Sequence, residues 1–256
     1  MAAWLDRMLG RVQGPKKPYV RRHEGLVSLQ FVRRQTQSRM VADDPDRLLI
    51  DYTRTMFAAL LWQACPRALG MVGLGGGSQV KFAYRNLPST RIEVVDNNPH
   101  VVALRGEFGV PDDDARLQVV VDDGVHFVEA RRGRFDVLLL DGYDAHGIPA
   151  ELSTQTFYDA CRDALTEQGV LACNLYVRDP DTHVEKLQAA FGADRVLVVD
   201  EPKMSNRVAF AWRGALPALD ADALTERVPI AVRALLPDVF PRIARRVVRH
   251  RTVRGH

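Results

Sequence analysis

Long apolar runs are missing from this chain. No stretch approaches the roughly 20 residues that a membrane-crossing helix needs, so no membrane partner is expected. Cysteine is scarce. Cys65, Cys161 and Cys173 are scattered with no Cys-x-x-Cys pair, which supports neither a disulfide framework nor a zinc site and fits a reducing, cytoplasmic compartment. Asp6, Arg7 and Arg11 interrupt any signal-peptide core near the start. Charge of one sign is also in short supply: +3 over 256 residues gives the whole protein no general affinity for nucleic acid. With 46% hydrophobic and 26% charged residues, the composition is that of an ordinary globular protein with one large core and room for a small appendage.

What is there begins at Met71. The run Met71-Val72-Gly73-Leu74-Gly75-Gly76-Gly77-Ser78 ends an apolar segment in a glycine turn, and Ile92-Glu93-Val94-Val95-Asp96 ends a second one in an acid. This is the layout of a nucleoside-binding βαβ unit. Glycines turn the backbone sharply and admit a ligand closely, and the following helix offers its N-terminus. A carboxylate at the tip of the next strand is placed to accept from both ribose hydroxyls. Asp96 lies 18 residues past Ser78, near the roughly 20 expected. Ser78 stands where the dinucleotide fingerprint wants a third glycine, which argues against a nicotinamide cofactor.

Periodicity extends this unit into an alternating fold. Strands are predicted at 68–73, 92–96, 117–121, 136–141 and 169–175, with helices near 78–86, 99–107, 124–131 and 154–165. Such alternation predicts a parallel sheet with helices on both faces. Residues 195–199 and 208–212 read as a closing antiparallel pair. A further helix is predicted from Tyr52 to Trp62. Residues 1–24 read as a loose basic leader and 26–50 as a small β-hairpin element. The last 40 residues carry Pro229, Pro237 and Pro241 between short helical stretches. Their arginines, from Arg242 to Arg254, read as a solvated helix face and tail, although such a patch can also bind phosphate-rich partners.

Four acids fall at predicted strand tips: Asp96, Asp123, Asp141 and Asp144. In an open α/β sheet the ligand sits beyond the carboxyl ends of the strands, so these side chains can share one crevice. Asp123, just before Gly124, also suits a helix N-cap. Tyr143 suits either a substrate pocket or simple packing, and His146 either a base or a solvated loop.

The motifs Gly73-Leu-Gly-Gly-Gly-Ser, Val95-Asp96-Asn97-Asn98-Pro99, Asp123-Gly124 and Asp141-Gly-Tyr-Asp144-x-x-Gly147-Ile-Pro149 resemble the spermidine synthase (polyamine aminopropyltransferase) superfamily, in particular its bacterial spermidine-synthase-like branch. The similarity runs from about Gln37 through Leu175. It implies a methyltransferase-type, Rossmann-like α/β fold: a mostly parallel sheet with an antiparallel closing strand behind a small N-terminal β element. On that pattern residues 1–50 form the leader and β element, 51–215 the nucleoside-binding catalytic domain, and 216–256 a helical extension. The resemblance further implies a donor site of Gln37, Gly73, Gly75, Gly76, Gly77, Asp96, Asn97, Asp123 and Gly124. Asp141 would be the base that takes the proton of the attacking amine, and Asp144 would help hold that amine; Tyr143, between the two, is the further candidate for lining the substrate pocket. The implied donor is decarboxylated S-adenosylmethionine, or S-adenosylmethionine itself, with no metal; the expected partners are a small-molecule amine and a second copy of the chain.

The chain also departs from the family pattern. Members carry Gly-Gly-Gly-Asp-Gly where this chain has Gly75-Gly76-Gly77-Ser78-Gln79, and Tyr-His/Gln-Glu-Met where it has Thr53-Arg54-Thr55-Met56. A diamine pocket that loses carboxylates and gains Arg54 predicts poor use of putrescine. Three functions therefore stand open: aminopropyl transfer, methyl transfer from S-adenosylmethionine, and nucleoside binding without catalysis.

Overall fold

The run Phe135–Leu140 forms a strand in which every side chain is buried, as its unbroken apolar sequence requires of a strand covered on both faces. The computed structural model describes residues 15–32, 35–143, 147–177 and 179–254. Phe135–Leu140 is β7, at the middle of a seven-stranded sheet ordered β6-β5-β4-β7-β8-β10-β9. The other strands of the sheet are β4 (Ala68–Val72), β5 (Arg91–Asp96), β6 (Leu117–Val121), β8 (Leu165–Leu175), β9 (Val196–Asp200) and β10 (Arg207–Trp212). β4 to β8 pair in parallel. β10 runs antiparallel to both β8 and β9, the closing arrangement that the two late apolar segments predict.

Side-chain alternation divides the core in two. Met71, Val94, Leu139, Ala172 and Phe210 point to one face, where they meet α1 (Asp51–Met56) with its 3-10 continuation Phe57–Leu61, and α2 (Ser78–Asn86). Val72, Val95, Leu138, Leu140 and Cys173 point to the other, where they meet α4 (Gly124–Glu129), α5 (Gln155–Ala164) and α6 (Pro180–Phe191). The short α3 (Pro99–Ala103) follows β5. Sequence reading omits α6, although Asp179 caps its N-terminus by accepting from the Thr182 N–H, and Pro180 occupies its first turn.

The N-terminal element has one strand more than the predicted hairpin. β1 (Tyr19–His23), β2 (Leu26–Val32) and β3 (Gln35–Val41) form an antiparallel three-stranded sheet. β1 falls inside the expected leader because its residues are almost all exposed and show no alternation. What makes it a strand is the turn after it: Glu24 and Gly25 both have positive φ, 51° and 72°, as a tight two-residue hairpin turn demands.

The C-terminal arginines also correct the sequence reading. After α7 (Ala221–Glu226) and α8 (Ile230–Leu235), residues Val239–Arg254 form one long helix, α9. Pro241 is harmless there because it lies in the first turn. Val239, Phe240, Ile243, Ala244 and Val247 are buried in the same apolar cluster as Met56–Trp62 and the β2–β3 residues Leu29 and Met40. Arg245, Arg246 and Arg249 are solvated as expected. Arg242 instead turns inward to donate to the Thr55 hydroxyl at 2.6 Å, and Arg251 donates to the Pro217 carbonyl. Among the described residues no helix is long and apolar enough to cross a membrane.

Candidate active site

Parallel register brings the tips of β4, β5 and β7 to one edge, since Val72 pairs with both Val95 and Leu140. The glycine turn leaves β4 at this edge. A Cβ on Gly73 would sit 2.4 Å from the Asp141 carbonyl oxygen, and φ there is +97°, so only glycine lets the two strand exits pass. Gly76 and Gly77 are packed equally close, against Ser38 and Val110. Gly75 differs: a Cβ there would meet nothing nearer than Ser38 Cβ at 4.0 Å, so its Cα faces open space. No side chain caps the N-terminus of α2 beyond the turn.

Asp96 binds the turn from beneath. Its Oδ2 accepts from the Leu74 N–H at 3.0 Å and its Oδ1 from the Asn98 N–H at 2.9 Å. Burial pushes its carboxyl above the ordinary range, opposed by these bonds and one from the Gly75 N–H. A carboxylate has about four lone-pair sites, so capacity remains for one further donor. Asn97 beside it is exposed, while Asn98 caps α3 by accepting from the His100 N–H.

Asp123 is the N-cap of α4, and its Oδ1 accepts from the Val125 and His126 N–H groups. Gly124 is buried beneath Val72 and Leu152, with no room for a Cβ. Gln37 is the extra residue of a β-bulge: Leu29 pairs with Ser38 and Gln30 with Thr36, which leaves Gln37 unopposed. Bulges re-aim side chains and recur beside active sites. Asp144 and His146 lie outside the described residues.

Asp141 is the most constrained acid. Its Oδ2 accepts from the Tyr52 hydroxyl at 3.1 Å and from Gln79 Nε2 at 2.9 Å, and its Oδ1 from Asn174 Nδ2 at 2.9 Å. All three donors are neutral. Burial therefore outweighs the hydrogen bonds and pushes the carboxyl up to about 6. The same burial, with the Asp141 charge, drives the Tyr52 phenol well above its usual value and keeps it a donor. Asn174 is fixed in turn by Asn206, whose Nδ2 donates to its Oδ1 at 2.9 Å. The Tyr143 hydroxyl donates to the Asn174 carbonyl and accepts from the Tyr176 N–H, so it is occupied in joining two loops.

Sequence reasoning missed Tyr52, Gln79, Asn174 and Asn206 as members of this site. Asn174 alone carried a usable signal, since it ends the apolar run Val170–Cys173 as the acids end theirs. Arg54 needs a correction of another kind. It reaches Asp238 at 2.6 Å and Asp51 at 3.6 Å, so two carboxylates neutralise the charge expected to repel an amine. Among the described residues no group of three or more His, Cys, Asp or Glu is placed to hold a metal.

Residues 83–189 match the Spermine/spermidine synthase domain family. A polyamine aminopropyltransferase from Chromobacterium violaceum is 33% identical over 203 residues, covering 78% of this chain and 77% of the relative. One from Neisseria meningitidis serogroup A is 32% identical, covering 75% and 74%. Among solved structures, a probable spermidine synthase from Corynebacterium glutamicum superposes with a TM-score of 0.68 at 17% identity, covering 87% of this chain and 91% of that one. Human methyltransferase-like protein 13 in complex with SAH gives 0.64 at 23% identity, covering 74% and 93%. The two superpositions establish the methyltransferase-type fold. The sequence matches show that this chain is a transferase belonging to the polyamine aminopropyltransferase (spermidine synthase) family.

Proposed function

We propose that the protein transfers the aminopropyl group of decarboxylated S-adenosylmethionine to an amine. The observation that carries this reading is Asp141: a part-buried carboxylate at a strand tip, held by three neutral donors, beside a glycine turn with open space at Gly75. The turn fits an adenosyl group. Gly75 leaves room for its approach, the uncapped start of α2 offers backbone N–H groups, and Asp96 has a lone pair left for a ribose hydroxyl.

When bound, the sulfonium donor supplies an alkyl carbon with a neutral thioether as leaving group. The amine nitrogen forms the new C–N bond as the C–S bond breaks, and methylthioadenosine departs without needing an acid. Asp141 orients the nucleophile and takes the proton lost from it. A carboxyl near 6 suits this work, because it is largely ionised at neutral pH yet still basic. Positioning in-line with the sulfonium supplies much of the remaining rate. In this reading Asp123, Gly124 and the bulged Gln37 serve the donor, and Tyr143 and Asp144 are assigned to the amine. The unpaired cysteines Cys65, Cys161 and Cys173 fit a cytoplasmic enzyme, and the expected homodimer is open to light scattering.

Methyl transfer is the second reading. Ser78 opens α2 without the carboxylate that would repel the amino-acid carboxylate of S-adenosylmethionine. Calorimetry with S-adenosylmethionine, its decarboxylated form and methylthioadenosine separates the two. Tighter binding of the decarboxylated donor supports aminopropyl transfer, and the reverse order supports methyl transfer.

A further inference from the structure

Gln79 is the second residue of α2, two positions past the last glycine of the turn. It is 92% shielded from solvent, with 8% of its surface exposed. Its Nε2 donates to Asp141 Oδ2 at 2.9 Å and lies 3.6 Å from the Met56 sulfur. Its Oε1 is buried with no hydrogen-bond partner. Such an orphan acceptor costs on the order of 1–3 kcal/mol, so the amide orientation needs a cause. Turning the amide over would press Oε1 against the Asp141 carboxylate. The carboxylate, with the Met56 sulfur as a weaker second acceptor, therefore sets which way Gln79 faces.

We propose that Gln79 is a positioning residue of the reaction: it holds the Asp141 carboxylate in its charged form and ties it to the helix that begins at the donor-binding turn. Of the three donors to Asp141, Tyr52 comes from α1 and Asn174 from β8. Gln79 is the one carried by the glycine-turn helix. A shift of the base relative to the donor's reacting carbon is thereby resisted through a single bond. Among the described residues, the titratable groups acting on this carboxylate are Tyr52 from α1, Tyr143 from its own loop and Cys173 from β8. All three are held neutral by burial, so none supplies the positive charge that would make a neutral donor redundant.

This inference rests on Asp141 being the base, and its test is chosen to separate the two claims. The carboxyl resonances of the protein labelled with 13C-aspartate are titrated in the wild type, Gln79→Met and Gln79→Asn, with Asp141→Asn identifying the Asp141 signal. Methionine keeps the volume without a donor, and asparagine keeps the amide one methylene short of reach. In both variants the Asp141 midpoint should rise by about one pH unit, since loss of a donor to the charged form favours the acid. If decarboxylated S-adenosylmethionine and an amine are turned over, the acid limb of kcat/KM should move up by the same amount. Activity at pH 6 should then fall about fivefold and recover at high pH, with the KM for the donor little changed. An unmoved midpoint overturns the inference, as does a rate loss equal at every pH. A wild type that turns nothing over counts against aminopropyl transfer instead, and the titration still decides the role of Gln79.

Discussion

The Asn206 amide donates to Oδ1 of Asn174 at 2.9 Å, and Asn174 is left with its own amide facing Asp141. Asparagine can present either end of its side chain, and this bond fixes which end meets the carboxylate. Both asparagines are buried. Neither would be stable there alone, because a buried amide without partners costs more than the hydrogen bond returns. The relay ties the start of the antiparallel strand β10 to Asp141 at the end of β7.

Asn206→Ala should therefore destabilise the protein by about 1–3 kcal/mol, the cost of leaving the Asn174 oxygen buried and unpaired. Urea unfolding at pH 7 measures this. A change within about 0.5 kcal/mol would mean that Asn174 finds another partner and that the relay is dispensable.

Asp96→Ala should weaken binding of methylthioadenosine by about 1.5–3 kcal/mol, the loss expected for a charged hydrogen bond to a ribose hydroxyl. The same change frees the Leu74 and Asn98 N–H groups, so thermal stability should also fall. Asp96→Asn retains one acceptor and should lose less of both. Calorimetric affinity equal to wild type in a folded Asp96→Ala protein would remove Asp96 from the ribose site.

Lys81 predicts a pH dependence. Its Nζ is buried, donating to the Phe108 carbonyl at 2.6 Å and lying beside the Met40 sulfur, and burial lowers its pKa from 10.5 to about 8. Between those values the unfolded chain binds the proton that the folded chain has released. The Lys81 contribution to stability therefore rises as pH increases from about 8 to 10.5, at about 1.4 kcal/mol per unit. Below 8 the folded protein bears the full desolvation cost. Comparing urea midpoints of wild type and Lys81→Met across this range isolates the effect. The difference between them should shift in favour of wild type as pH rises, and parallel curves would contradict the assignment.

The fold was legible where physics acts locally. The alternation of Leu69–Val72, Ile92–Asp96 and Phe135–Leu140 with helical segments demands a parallel sheet, and the turn at Gly73–Gly77 has one natural ligand-facing edge. Partnerships set by tertiary packing were not legible. Arg54 reads as a charge near the amine pocket until α9 brings Asp238 to it. Arg242 reads as one more tail arginine until the helix docks it on Thr55. Gln79 looked like a mere departure from a motif, because nothing local shows that its amide meets an acid 62 positions later.

The most direct test supplies purified protein with decarboxylated S-adenosylmethionine and a panel of amines, putrescine included, and follows methylthioadenosine by mass spectrometry. With Arg54 neutralised by Asp238 and Asp51, putrescine stays among the candidates despite the missing loop carboxylate. The account predicts methylthioadenosine together with an aminopropylated amine, and a loss of about 10²–10⁴-fold in Asp141→Asn. Release of S-adenosylhomocysteine from S-adenosylmethionine, with no methylthioadenosine from any amine, would contradict it and assign the site to methyl transfer.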